Sequence, residues 1–245
     1  MSEITDLMDK CRDALGRFSG QTDAQATLRF GRLVESVKRG VDRAQWVDEL
    51  RLWSIAARVI ERIEANVPGA LVECGVAKGT SASVLAWASQ EFQRSLWLFD
   101  TFAGLPPAGP VDVREHGDLS KYTGGCCGDL KAVKTYLATH WPRARVHLRP
   151  GLFEDILPAE ALTVGAVSFL HADGDWYDST RSIITNFENS LSAGAAIVFD
   201  DYGYWKGCER AVEEWRESRA WALGPIQRVG STQAWFRIER TEKPA

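Results

Sequence analysis

The sequence predicts a doubly wound α/β protein: a mostly parallel sheet with helices on both faces, preceded by a helical N-terminal appendage. Three observations carry this. From about residue 68 onward, short apolar runs alternate with helical stretches, as in βαβ units. Several runs end on an acidic residue, and since ligands of such sheets gather at the carboxyl ends of the strands, these residues become site candidates. The stretch before residue 67 keeps apolar spacings of three and four and lacks strand-like runs. A chain of 245 residues with 45% hydrophobic content suffices for one buried core and is too short for two full-sized domains.

The elements follow in order. Region 1–66 reads as helical, interrupted by a loop at 21–27. In its last helix Leu50, Trp53, Ala57, Ile60 and Ile63 line one face. This region is expected to serve as a lid or an oligomerisation element, and 67–245 as the catalytic domain. The strand and helix runs then read ALVECGV, SVLAWASQEF, SLWLFD, RVHLRPG, AVSFLHAD, AAIVFDDY and AWFRIER. Segment 106–128 is long and rich in turn formers, and lies just past a strand end, so it is expected to cover a ligand.

The first run leads into Glu73-Cys74-Gly75-Val76-Ala77-Lys78-Gly79-Thr80-Ser81, a strand, a glycine-bearing turn and a helix start. Glycine lets backbone approach a ligand closely. A dinucleotide site would want G-x-G-x-x-G facing a pyrophosphate. Glu73 would repel that group and favour an ammonium instead, such as that of a methionine moiety. The next strand run ends at Asp100, placed to accept from ribose hydroxyls. Together the two motifs point to a bound adenosine group.

The strongest constellation lies further on. LHADGDWYDST and FDDYG place Asp173, Asp175, Asp200 and Asp201 at or beyond two strand ends. Carboxylates gathered there repel one another unless a cation lies among them, and an all-oxygen set suits Mg²⁺ or Mn²⁺ rather than zinc. His171 lies inside an apolar run and reads as a hydrogen-bonded core histidine before a general base. Trp53, Trp87, Trp97 and Trp215 read as core; Trp176, Tyr177, Tyr202, Tyr204 and Trp205 follow the acidic motifs and are candidate walls of an acceptor pocket.

Composition narrows the function classes. A net charge of −4 argues against a dedicated nucleic-acid binder. Five cysteines with no C-x-x-C spacing fit a reduced compartment, and no run has the length of a membrane span, so a cytoplasmic protein is expected.

The motifs LVECGVAKGTSASVL, LFDTFAGLPP, PGLFEDILP, LHADGDWYDST and FDDYGYWKGCERAVEEW together resemble the macrocin O-methyltransferase family across 68–216. That resemblance implies the class I methyltransferase fold and transfer of a methyl group from S-adenosylmethionine to a hydroxyl of a small molecule, a sugar or phenol of a natural product, with Mg²⁺ or Mn²⁺. It implies that Glu73, Gly75, Gly79, Thr80 and Ser81 hold the methionine part and Asp100 the ribose. Asp173, Asp200 and Asp201 would be the metal ligands and Asp175 the base, with Asp173 and His171 as other candidates for that role. It also implies a homo-oligomer. Ala77 stands where relatives often carry an aromatic residue, and GGCCG matches nothing in the family pattern. Two other readings fit part of the pattern. A metal-dependent glycosyltransferase would use Asp173-Gly174-Asp175 as a D-x-D motif, but needs neither Glu73-x-Gly75 nor the second acidic pair. A non-catalytic nucleoside sensor would not need the whole acidic set.

Overall fold

The computed structural model describes residues 2–18, 20–43, 46–219 and 223–239. Its centre is a seven-stranded sheet of order β3-β2-β1-β4-β5-β7-β6. The strands are β1 (Ala70–Cys74), β2 (Ser95–Asp100), β3 (Arg145–Pro150), β4 (Val167–Ala172), β5 (Leu191–Phe199), β6 (Gln227–Val229) and β7 (Gln233–Arg237). β1 to β5 pair in parallel, whereas β7 runs antiparallel to both β5 and β6. The predicted mostly parallel sheet is therefore observed. Residues 234–237 of the run AWFRIER lie in β7 (Gln233–Arg237), and Arg240 lies outside the described residues.

β1, β2 and β4 are buried almost throughout, because helices cover both faces. On one face lie α1 (Glu3–Gly16), α2 (Asp23–Arg43), α3 (Glu49–Glu64), α4 (Thr80–Phe92) and α6 (Leu130–His140); Leu71, Leu98, Phe169 and Val198 point into that layer. On the other lie α7 (Phe153–Val164), α8 (Tyr177–Phe187) and α9 (Lys206–Ser218), against Val72, Phe99, Leu170 and Ile197. The alternation of side chains along each strand assigns Glu73 and His171 to the first face, together with Leu71 and Phe169.

The N-terminal helices extend the first layer. α3 is buried on nearly every side from Leu52 to Ile60, not along a single apolar stripe, because α1, α2 and α4 surround it and the sheet closes it from below. Ser36 of α2 donates through Oγ to the carbonyl of Ser83 in α4 at 2.8 Å. The expected loop at 21–27 is shorter than read: α2 begins at Asp23, where Thr22 Oγ1 accepts from the amide of Gln25 and Gln25 Oε1 accepts from the amide of Thr22.

Segment 106–128 carries a helix of its own, α5 (Pro110–His116), and a single 3₁₀ turn at Ser120–Tyr122. Asp112 is fully buried and accepts from the amide of Tyr177 at the start of α8. His116 accepts from the amide of Lys206 at 2.9 Å, and Trp176 donates to the carbonyl of Pro106 at 2.9 Å. The segment is thus docked on α8 and α9. No helix among the described residues is long and apolar enough to cross a membrane.

Candidate active site

A cavity of about 440 Å³ opens at the carboxyl ends of β1, β2, β4 and β5, within the range of small-molecule sites. Its floor is the glycine turn. Gly75 has φ +96°, and a Cβ built there would lie 1.9 Å from the carbonyl oxygen of Asp173, so only glycine fits. Gly79, at φ +82°, ends the turn as the N-cap of α4. Thr80 and Ser81 open that helix on the cavity wall, where its first amides would favour an anionic group.

Asp100 borders the cavity at the end of β2. Its Oδ2 accepts from the amides of Val76 at 2.6 Å and Ala77 at 2.8 Å, and its Oδ1 from the amide of Phe102 at 2.6 Å. The carboxylate therefore braces the glycine turn, leaving one lone-pair direction for a ligand hydroxyl. Asp100→Ala is expected to lower both cofactor affinity and stability by about 1–3 kcal/mol each, because buried amides lose their acceptor. Calorimetry with S-adenosylhomocysteine, alongside thermal unfolding, checks both. Unchanged affinity would remove Asp100 from the ligand site.

Glu73 is not on the cavity wall. It is wholly buried behind it, with Oε1 3.0 Å from Nδ1 of His171, its register partner on β4. His171 Nε2 in turn lies 3.5 Å from Oδ1 of Asp200. Burial disfavours the imidazolium, but the carboxylates on either side outweigh it and raise His171 to about 9. His171 is thus a core histidine tied between two acids.

The four aspartates gather at the ends of β4 and β5 in two overlapping groups. Oxygens of Asp173, Asp175 and Asp201 lie within 4.8 Å of one another, as do ligand atoms of His171, Asp173 and Asp200. Burial, then the neighbouring carboxylates, raises Asp173 and Asp175 well above the usual range. The same causes raise Asp201 to about 6. Asp200 differs. Burial pushes it up, but His171, Arg51 and Gln233 hold it below its ordinary value. Arg51 Nη1 donates to its Oδ2 at 2.5 Å and Gln233 Nε2 to its Oδ1 at 2.8 Å. The donor set is all oxygen apart from His171, and fits a hard divalent cation.

The cavity's further walls come from distant parts of the chain. Arg51, Trp46 and Val47 enter from the N-terminal region, Tyr122 and Cys126 from segment 106–128, and Leu152 from the start of α7. None of these was read as a site residue. Of the five aromatic wall candidates, Tyr204 and Trp205 line the cavity. Trp176, Tyr177 and Tyr202 are buried in the core instead, and Trp53, Trp87, Trp97 and Trp215 are core as expected.

Sheet order, glycine turn and acidic strand ends together define a class I methyltransferase fold. The chain belongs to the macrocin O-methyltransferase (TylF) family, whose model matches residues 44–238. It is 33% identical over 181 residues to demethyldecarbamoylnovobiocin O-methyltransferase of Streptomyces niveus, a match covering 68% of this chain and 65% of that protein's length. It is 29% identical over 227 residues to 8-demethyl-8-(2,3-dimethoxy-alpha-L-rhamnosyl)-tetracenomycin-C 4'-O-methyltransferase of Streptomyces olivaceus, covering 90% of this chain and 83% of the relative. Among solved structures, the O-methyltransferase NovP superposes with a TM-score of 0.72 at 26% identity, covering 79% of this chain and 81% of its own. The calicheamicin methyltransferase CalS11 shares the fold, with a TM-score of 0.66 at 20% identity over 95% of this chain and 91% of its own. The glycosyltransferase reading of Asp173-Gly174-Asp175 gives way to this membership.

Proposed function

We propose that the protein transfers the methyl group of S-adenosylmethionine to a hydroxyl of a natural-product sugar, with a divalent cation, Mg²⁺ or Mn²⁺, at the aspartate cluster. The observation that carries this is the convergence of Asp173, Asp175 and Asp201 on the same cavity as Gly75, Thr80, Ser81 and Asp100. The two curated relatives are O-methyltransferases, and the name of one specifies a rhamnosylated acceptor.

In this reading Gly75 lets the chain pass beneath the cofactor, and the first turn of α4, from Thr80 and Ser81, faces its carboxylate. Asp100 offers its remaining lone pair to the ribose. Glu73 acts one layer back: it holds His171, which fixes Asp200. Asp173 and Asp201 are the principal ligands of the cation, with Asp200 as the third, its charge already shared with Arg51 and Gln233. When bound, the cation lowers the pKa of the acceptor hydroxyl and fixes its direction. Asp175, at the cavity edge of the cluster, accepts the hydroxyl proton as the oxygen attacks the methyl carbon and the S–CH3 bond breaks, its electron pair returning to the sulfur of S-adenosylhomocysteine. Arg51, Trp46 and Val47 make the N-terminal region a cover over the cavity. Assembly of a homo-oligomer through that region is a separate proposal, which sedimentation tests and a monomer would remove. All five cysteines are free thiols, which supports a cytoplasmic location.

The test is transfer of labelled methyl from S-adenosylmethionine to a panel of glycosides, their aglycones and simple phenols. Label on the sugar of a glycoside is expected. Transfer to the aglycone or phenols alone would replace the sugar with a phenolic acceptor.

A further inference from the structure

Asp175 is an unusual anchor for a proton acceptor. Its backbone is left-handed, at φ +54°, and its amide donates to Oδ2 of Asp201 at 3.2 Å. Among the described residues its carboxylate accepts one hydrogen bond, at Oδ1, from Nε1 of Trp205 at 2.9 Å.

That indole is held from several sides. Trp205 is 7% exposed and is the N-cap residue of α9. The rings of His116 and Tyr122 meet it edge-on at 5.1 and 5.2 Å, Tyr204 at 4.8 Å, and Trp176 lies tilted against it at 4.9 Å. His116 and Tyr122 belong to the docked segment that covers the cavity, whereas Trp176 follows Asp175 directly. An indole N–H donates and cannot accept, so this contact cannot take the acceptor's proton. It fixes which carboxylate oxygen is engaged and favours the ionised carboxylate.

We propose that Trp205 is a positioning residue: it binds Oδ1 of Asp175, turns Oδ2 toward the acceptor hydroxyl, and makes that orientation depend on the docking of segment 106–128. The proposal rests on Asp175 as the proton acceptor. It also accounts for four aromatic rings around one indole, which core packing alone does not require beside a carboxylate.

The test uses the full chain with Trp205→Phe, Asp175→Asn and the double variant, followed by kcat, acceptor and cofactor KM, S-adenosylhomocysteine affinity and thermal midpoint. Trp205→Phe is expected to lower kcat by about 10- to 100-fold, the range for partners that orient an active group. Cofactor KM and S-adenosylhomocysteine affinity should stay within two-fold. In the Asp175→Asn background the same change should have no further effect. Wild-type kcat in Trp205→Phe, or an equal loss in both backgrounds, overturns the role of Trp205. Wild-type turnover in Asp175→Asn alone withdraws the proton-acceptor assignment and this proposal with it. Should phenylalanine lower the thermal midpoint, the benzothienyl analogue of tryptophan placed at position 205 keeps the bicyclic shape and lacks the N–H. It should show the same fall in kcat at unchanged stability, and full kcat with that analogue would overturn the proposal.

Discussion

Asp201→Asn is expected to lose turnover by at least about 100-fold, the upper range for removing a group that merely supports a metal's ligands. Cofactor affinity should stay within a few-fold of the parent. Oxygens of Asp201, Asp173 and Asp175 lie within 4.8 Å of one another. An amide keeps the size and still accepts the bond from the Asp175 amide, but it removes a charge that a hard cation requires. The groups proposed to hold the cofactor are Gly75 in the turn after β1, Thr80 and Ser81 in α4 and Asp100 in β2, and none of them supplies a ligand atom to the aspartate cluster. Stability should hold, because the folded protein keeps three neighbouring acids after one of a like-charged group is neutralised. Turnover at saturating Mg²⁺, S-adenosylhomocysteine binding and thermal unfolding check the three statements. Lost cofactor binding would contradict the division of the cavity into a cofactor half and an acceptor half.

Gly75→Ala is expected to be among the most damaging single methyl additions in the chain. The new Cβ would meet the carbonyl oxygen of Asp173 at 1.9 Å, a contact with backbone that no rotamer change relieves. Overpacking of this kind costs about 1–3 kcal/mol, and a left-handed backbone on a residue with a side chain adds about 1–3 kcal/mol. Because Asp173 would be the group displaced, cofactor binding and metal-dependent turnover should fail together. Thermal unfolding and S-adenosylhomocysteine calorimetry measure the effect, and a variant that folds and binds normally would show that the turn has more freedom than its geometry implies.

Much of the fold was legible because β1, β2, β4 and β5 are covered on both faces, so their sequences are continuous apolar runs that end where the sheet ends. β6 was not, since Gln227-Arg228-Val229 is short, lies at the sheet edge and carries exposed polar residues. α3 read as a one-faced helix because only its most apolar stripe stands out, whereas its small residues Ala56 and Ala57 are what let α1, α2 and α4 close around it. Within the candidate site, Asp100, Asp173, Asp175, Asp200 and Asp201 were visible because parallel topology brings strand ends to one edge. Glu73 was assigned to the ligand by its neighbourhood in sequence. Period-two alternation places it on the same face as His171, and register makes the two partners. Arg51, Trp46 and Tyr122 reach the cavity only through tertiary packing, which no local pattern encodes. Trp205 follows the second acidic pair in sequence, but its indole contact with Asp175 comes from the loop path after β5 and not from spacing.

Turnover of a chelated preparation tests most directly whether the aspartate cluster works through a divalent cation. Methyl transfer to a glycoside acceptor should vanish after exhaustive chelation and removal of the chelator, and return on titration with Mg²⁺ or Mn²⁺. S-adenosylhomocysteine affinity, measured in the same samples, should stay constant throughout. Full turnover in the metal-free preparation would contradict the account and leave Asp173, Asp175 and Asp201 as a proton-accepting cluster alone.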